Sequence, residues 1–170
     1  MDADRTPTHA ENNKNILKYL GEWRNNPGME LKYAETTGPL IDLFFDVYKT
    51  LGYGFLERVY GKAMTVAGPR FGLTIQPEVK IKVFFEGIEV GKYEPDLIVN
   101  DAVIVELKTC QAILKEHEAQ LLNYLKATKY EVGFLLNFGP IARYKRMVFE
   151  NTRKGTLSWI QPKPDPAKLP

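Results

Sequence analysis

The spacing of apolar residues predicts two helices in the first half of the chain. After Gly38-Pro39, five apolar residues recur every three or four positions, as on one face of an amphipathic helix: Leu40, Leu43, Phe44, Val47 and Leu51. A second helical pattern ends at Gly68-Pro69: Phe55, Val59, Ala63, Val66 and Ala67. Because glycine and proline end helices, Gly52 and Gly68 are expected to lie just beyond them.

The apolar period then changes to two, which is typical of strands. The residues Val79, Ile81, Val83 and Phe85 alternate with polar ones and predict a half-buried strand. Glu86-Gly87 supplies a turn, and we expect the next strand to run from Ile88 to Val99. Asn100-Asp101 forms the following turn, since both residue types tolerate positive φ. Residues 102–108 are almost wholly apolar until their end, as in a central strand covered on both faces.

The rest of the central region predicts one more helix and two more strands. Helical spacing returns over residues 115–128, a buried strand follows at 132–136, and an edge strand is expected at 144–150. This order predicts one α/β domain on a mixed sheet over residues 31–150. Residues 1–30 are expected to form an extension with a short helix at 13–24. Residues 151–170 are predicted to form a proline-rich basic tail.

Composition narrows the classes of function. The 170 residues carry 23 Lys and Arg against 21 Asp and Glu, so any site for a polyanion must be local. One cysteine and two histidines exclude a disulfide scaffold and leave a structural zinc site short of ligands. The first residues are acidic, and no apolar run approaches the ~20 residues that span a bilayer. We therefore expect a cytoplasmic protein with no membrane partner.

The most informative polar pattern is Pro95-Asp96 followed by Glu106-Leu107-Lys108. On a strand, Glu106 and Lys108 share one face, and an antiparallel neighbour would bring Asp96 alongside Glu106. Carboxylate oxygens at the end of a buried strand suit Mg²⁺ or Mn²⁺. The alternative interpretation is a surface ion-pair cluster without catalytic meaning.

Three further features are a polar stripe on the third helix, a basic C-terminal region and the single cysteine. The first two each allow two interpretations, and the cysteine favours a structural one. His117, Gln120 and Tyr124 lie on one face of the predicted third helix, which is either a wall of the site or a solvated face. Residues 143–170 hold seven cations against two acids, which either contact phosphates or only aid solubility. Cys110 is interpreted as a buried structural thiol, because no histidine is placed to activate it.

These motifs resemble those of the PD-(D/E)XK nuclease superfamily. Pro95-Asp96 with Glu106-Leu107-Lys108 is similar to its signature, and Gln120 with Tyr124 matches the QxxxY motif of its RecB-like branch. The predicted element order resembles the αβββαβ core of the restriction-endonuclease-like fold. Within the superfamily, the chain resembles the GxxExxY family over about residues 31–149. Its motifs read here as Gly54-Phe55-Leu56-Glu57-Arg58-Val59-Tyr60, residues 117–126 and Asn137-Phe138-Gly139.

The resemblance implies a nuclease that uses Mg²⁺ or Mn²⁺ to hydrolyse phosphodiester bonds of nucleic acid, with DNA as the expected substrate. Asp96 and Glu106 would bind the metal, the Leu107 carbonyl would complete its shell, and Glu57 would add a further acidic group. The resemblance gives the chemistry and leaves the oligomeric state open.

The remaining implied site residues surround this metal site. Lys108 would orient the attacking water or offset charge on the phosphate, and Gln120 and Tyr124 would position the site or contact the nucleic-acid backbone. The alternative function is a non-catalytic nucleic-acid or protein binding module on the same scaffold.

Overall fold

The computed structural model describes residues 32–154, which fold into helices on both faces of a mixed sheet. The helices are α1 (Ala34–Leu51), α2 (Glu57–Ala67) and α3 (Lys115–Lys126). The strands are β1 (Ile75–Pro77), β2 (Ile81–Phe85), β3 (Ile88–Tyr93), β4 (Leu97–Val99), β5 (Val103–Lys108), β6 (Val132–Asn137) and β7 (Arg143–Val148). Short 3₁₀ helices cover Gly68–Phe71 and Asn151–Arg153. The predicted helix at 13–24 and the tail beyond residue 154 lie outside the described residues.

Five strands form the central sheet in the order β1-β4-β5-β6-β7. The pair β5 and β6 is parallel, and the other neighbours are antiparallel. The parallel pair needs a crossover connection, which α3 provides. The prediction of an α/β domain on a mixed sheet is confirmed, as is the position of β7 at its edge. Strands β2 and β3 pair with each other as a separate ribbon.

The two faces of the sheet are covered by different helices. On one face, Gly133 lies so close to Leu121 of α3 that a Cβ at position 133 would fall 2.6 Å from its side chain. On the other face, a Cβ at Gly61 of α2 would lie 3.3 Å from Leu107. Side chains alternate along β5, so Glu106 and Lys108 face the α3 side while Leu107 faces the α2 side, as the sequence pattern predicts.

Helix α1 begins at Ala34, so the prediction that this helix starts after Gly38-Pro39 is wrong. Pro39 lies inside the helix and removes one backbone donor. The turn before Pro39 is retained because Thr36 and Thr37 are buried, and the Asn100 amide donates to the Thr36 hydroxyl at 3.1 Å. Tertiary contacts therefore outweigh the local helix-breaking signal.

The predicted second strand is two strands in different sheets. Strand β3 ends at Tyr93, and β4 begins at Leu97 in the central sheet. Pro95 lies between them and has no N–H to donate to a continuing ladder. The short strand β1, which pairs with β4, has no counterpart in the sequence prediction. The turns at Glu86-Gly87 and Asn100-Asp101 are confirmed, with positive φ at all four residues.

The chain after β7 returns to the fold at Lys154. Its side chain is buried, and the Nζ donates to the carbonyls of Thr128 at 2.9 Å and Tyr130 at 2.6 Å. Of the seven cations of residues 143–170, Lys154 is therefore enclosed in the fold. Within residues 32–154, no helix combines the length and apolar character needed to cross a membrane.

Candidate active site

The hairpin of β4 and β5 brings two carboxylates together at one of its ends. Leu97 pairs with Val105, so Asp96 stands opposite Glu106 one position further along the ladder. The Asp96 Oδ2 accepts a 2.7 Å hydrogen bond from the Leu107 backbone N–H. The predicted juxtaposition of Asp96 and Glu106 is confirmed.

Glu106 is buried with little compensation for its charge. Its exposed fraction is 2%, and its Oε2 lies 3.7 Å from the Lys108 Nζ. Its Oε1 is buried and has no hydrogen-bond partner among residues 32–154. Burial, assisted by the negative charge of Asp96, raises the pKa of Glu106 to about 8, and Lys108 only partly opposes this. The Glu106 Oε1 is therefore available to bind a ligand such as a metal ion.

Asp96 is affected by the same surroundings. Burial raises its pKa, while the Leu107 N–H and the Lys108 charge act in the opposite direction. The carboxylate of Glu78 also contributes to the rise. Glu78 follows β1 with a positive φ, and its N–H donates to the Asp96 carbonyl at 3.2 Å. Glu78 was not among the residues predicted for the site.

Glu57 reaches the site from the first turn of α2, and its negative charge is the smallest contribution to the raised pKa of Glu106. The loop before it is fixed by Tyr60, whose hydroxyl donates to the Gly52 carbonyl at 2.7 Å and accepts from the Phe55 N–H at 3.3 Å. Gly54 has a φ of 107°, which favours glycine. Gly54 and Tyr60, two of the three residues that define the GxxExxY pattern, thus set the path of the loop that precedes the third, Glu57.

Two of the three polar residues in the stripe on α3 form a hydrogen bond with each other. The Gln120 Nε2 donates to the Tyr124 hydroxyl at 3.3 Å. Burial raises the pKa of Tyr124, and the nearby charges of Glu106 and Asp96 add to this effect. His117 instead accepts a 3.1 Å hydrogen bond from the Leu114 N–H at the start of α3. The structure therefore gives His117 a helix-capping contact.

Asn137, at the end of β6, fixes the loop that leaves Lys108. Its side chain is fully buried, accepts from the Cys110 N–H at 3.0 Å and donates to the Cys110 carbonyl at 2.8 Å. The next residue, Phe138, donates its N–H to the Lys108 carbonyl at 2.7 Å and stacks on Tyr60 with ring centroids 4.1 Å apart. The loop of Glu57 and the strand of Lys108 are therefore braced against each other.

Gly139 and Cys110 complete this contact. A Cβ at Gly139 would overlap the Cys110 carbonyl oxygen, so the close approach requires glycine. Cys110 is only partly buried, so the expectation of a fully buried thiol is wrong. Its Sγ donates to the Ala112 carbonyl at 3.0 Å. This contact is consistent with a structural role.

The donor set at Asp96 and Glu106 suits a hard divalent cation. Mg²⁺ is commonly held by one or two carboxylates together with water, and the unpartnered Glu106 Oε1 provides a free ligand oxygen. Within residues 32–154, no group of three His, Cys, Asp or Glu side chains forms an arrangement ready to hold a metal. The protein therefore offers two close carboxylates, with Glu57 and Glu78 adding negative charge nearby.

A mixed sheet flanked by helices, with two acids and a lysine at the end of its central hairpin, is the architecture of a restriction-endonuclease-like nuclease. A sequence model of the PD-(D/E)XK nuclease superfamily matches residues 34–148, and the chain belongs to that superfamily.

A comparison with curated proteins gives no match. Among solved structures, the chain is similar to one described as "Crystal structure of SSO0001", with 19% identity and a TM-score of 0.43. That similarity covers 85% of this chain and 82% of the other.

Proposed function

We propose that this protein is a nuclease that hydrolyses phosphodiester bonds of DNA with Mg²⁺ or Mn²⁺. The observation that carries the proposal is the buried Glu106, whose Oε1 lacks a protein partner while Asp96 stands beside it. Two adjacent acids are unfavourable in the free protein when burial raises the pKa of both and the charge of Asp96 raises that of Glu106 further, and a bound cation would relieve their repulsion. The motif pattern supports assignment to the GxxExxY family and the RecB-like branch.

Asp96 and Glu106 are the proposed metal ligands, and the Leu107 carbonyl and Glu57 are proposed to complete the ligand set. A divalent cation in this position supplies Lewis acidity toward the phosphate and lowers the pKa of a bound water. The catalytic domain is proposed to span residues 31–150, and residues 1–30 carry no proposed role.

Lys108 is proposed to act next to this metal site. Its Nζ is 3.7 Å from the Glu106 Oε2, and its side chain is only 15% exposed, so its position is restricted. From there the ammonium can orient the attacking water or offset charge that develops on the phosphate. Gln120 and Tyr124 of α3 are proposed to position the site or to contact the backbone of the bound nucleic acid.

The test is a cleavage assay on single-stranded DNA, duplex DNA and RNA, with Mg²⁺ or Mn²⁺ and with a chelator. We expect metal-dependent cleavage of DNA that Glu106→Gln and Lys108→Ala abolish. Asp101→Asn is the matched control, because it makes the same carboxylate-to-amide change at the far end of the β4–β5 hairpin. Equal cleavage by wild type and Glu106→Gln would reveal a contaminant and overturn the proposal. Metal-independent binding without cleavage would favour the non-catalytic module.

A further inference from the structure

Two cations of the edge strand β7 point to the same face of the sheet as the site acids. Met147 of this strand packs against the cluster that contains Leu121 of α3. Alternate residues share a face, so Arg143 and Lys145 lie on the α3 side with Met147. Their strand carries three cations and no acid in the sequence Arg-Tyr-Lys-Arg-Met-Val. The third cation, Arg146, lies on the opposite face.

The register of the sheet aligns these cations with the site. Lys108 pairs with Asn137, which pairs with Arg143, so the three residues form one row across β5, β6 and β7. In the next row, Glu106 pairs with Leu135 and Leu135 with Lys145. Since neighbouring strands lie about 4.8 Å apart, the backbone of Arg143 is about 10 Å from that of Lys108. A long side chain at Arg143 therefore lies within reach of a substrate held at the acids.

The two cations differ in how they are paired. The Lys145 Nζ forms a 2.6 Å ion pair with the Glu118 carboxylate of α3, which fixes its position. Arg143 is exposed and forms no ion pair with any carboxylate of residues 32–154. By contrast, Arg70 pairs with Asp46 at 3.1 Å, and Arg153 lies over the Phe149 ring at 4.7 Å. Arg143 is thus a guanidinium aligned with the site without an acidic partner there.

We infer that Arg143 forms a subsite for a non-scissile phosphate of the nucleic-acid strand. This inference rests on the proposed function. A guanidinium presents a planar fork that matches phosphate oxygens in a bidentate manner. The acids at Glu106 and Asp96 repel a polyanion, and a cation to one side offsets that repulsion where the backbone leaves the site. The substrate class is accordingly an oligonucleotide with several phosphates.

The main test measures binding of a fluorescently labelled single-stranded DNA oligonucleotide by the full chain, with Ca²⁺ in place of Mg²⁺ and over a series of salt concentrations. We expect Arg143→Gln to weaken binding about tenfold and to reduce the slope of log affinity against log salt by about one. Arg143→Lys should retain part of the affinity. Arg70→Gln is the matched control, because it removes an exposed arginine at the far end of α2, and it should leave both quantities unchanged.

A second variant predicts a change in the opposite direction. Glu118→Gln removes the acid that neutralises Lys145, so binding should strengthen about two- to threefold, as one screened surface charge allows. In cleavage assays with Mg²⁺, Arg143→Gln should raise KM and leave kcat nearly unchanged, since its phosphate is not the one attacked.

The outcomes separate the two proposals. If the wild type binds the oligonucleotide without cleaving it, and Arg143→Gln weakens that binding, the proposed nuclease activity is overturned and the Arg143 subsite is supported. Cleavage by the wild type, with Arg143→Gln and Arg70→Gln equal in affinity and salt slope, overturns the subsite alone. Absence of any oligonucleotide binding overturns the subsite as well.

Discussion

The two ends of the β4–β5 hairpin place an acid in opposite surroundings, and the pKa values of the two acids shift in opposite directions. At the turn, Asp101 is largely exposed and has two partners, the Lys129 Nζ at 2.8 Å and the Tyr130 hydroxyl at 2.7 Å. Those partners hold its pKa below the usual range. At the other end, Glu106 is buried, lacks a partner for its Oε1, and has a pKa raised to about 8. In the same hairpin, the fold therefore favours the charged form of Asp101 and disfavours the charged form of Glu106.

This difference separates a paired surface acid from the buried acid that is proposed to bind the metal. The Asp101 contacts are ordinary surface pairing, which contributes little to stability. Burying Glu106 without full hydrogen bonding is destabilising, and apolar or amide side chains would fit the fold better. Strongly perturbed acids in a cleft are typical of functional sites. The comparison can be tested by making the same change at each end.

The largest expected effect concerns activity. Glu106→Gln should lower the rate of metal-dependent DNA cleavage at least about a hundredfold, because a metal contribution of several kcal/mol depends on that carboxylate. Asp101→Asn should stay within about twofold of wild type, as expected for a surface change far from the chemistry. Single-turnover rates at saturating Mg²⁺ measure both. Comparable losses in the two variants would contradict the contrast between the ends.

The second effect is a dependence of stability on pH. The folded state raises the pKa of Glu106 to about 8, whereas the unfolded chain loses this proton near the ordinary glutamate pKa of 4.5. The folded state therefore binds more protons between these values, and the free energy of unfolding falls as pH rises through this interval. The total loss is on the order of a few kcal/mol.

Urea unfolding of the metal-free protein from pH 5 to 8 measures this dependence. Glu106→Gln should flatten the profile, with a smaller slope remaining from Asp96, whose pKa is also raised. Asp101→Asn should keep the wild-type slope over this range. Parallel profiles for wild type and Glu106→Gln would contradict the raised pKa of Glu106.

The third effect concerns the two hydrogen bonds between Asn137 and Cys110, which fix the loop after Lys108. Asn137→Asp keeps the shape of the side chain but loses the donor to the Cys110 carbonyl, and it buries a further acid near Lys108. We expect a loss of about 2 kcal/mol in the free energy of unfolding, together with reduced cleavage. Asn123→Asp, on the exposed side of α3, is the matched control and should change stability by less than about 0.5 kcal/mol. Denaturant unfolding distinguishes the two variants.

The smallest effect belongs to the turn. Asp101→Asn removes the charge that pairs with Lys129 but keeps an oxygen that can accept from Tyr130. The loss in unfolding free energy should be below about 1 kcal/mol, and it should shrink further at high salt. Because the pKa of Asp101 is lowered in the fold, its contribution is present above pH 3.8 and disappears as pH falls through the folded value. A loss that grows with salt would contradict this interpretation.

Much of the fold follows from local pattern. The alternation around β5, the buried run at β6 and the turn residues Asn100 and Asp101 are short-range signals, and each predicted the observed element. The errors arise where distant contacts decide. Thr36 is buried against Asn100, which keeps α1 helical ahead of Pro39. Strand β1 has only three residues, so its pairing with β4 leaves no readable period.

The candidate site also has features that local sequence pattern predicts and features that depend on distant contacts. The turn at 100–101 and the two-residue period predicted that Asp96, Glu106 and Lys108 share one patch. The approach of Glu78 to Asp96 depends on a backbone hydrogen bond between separate strands, and no sequence spacing reveals it. The same holds for the missing partner of the Glu106 Oε1, since hydrogen-bond satisfaction is a property of packing.

The buried Lys154 has a practical consequence for chemical labelling. Its amine is enclosed and donates to two carbonyls at the junction of α3 and β6. An amine-reactive reagent should therefore modify it far more slowly than the exposed Lys62, and the rate should rise only when the end of the fold opens. Mass spectrometry of this one amine would report local opening of the last described segment separately from global unfolding.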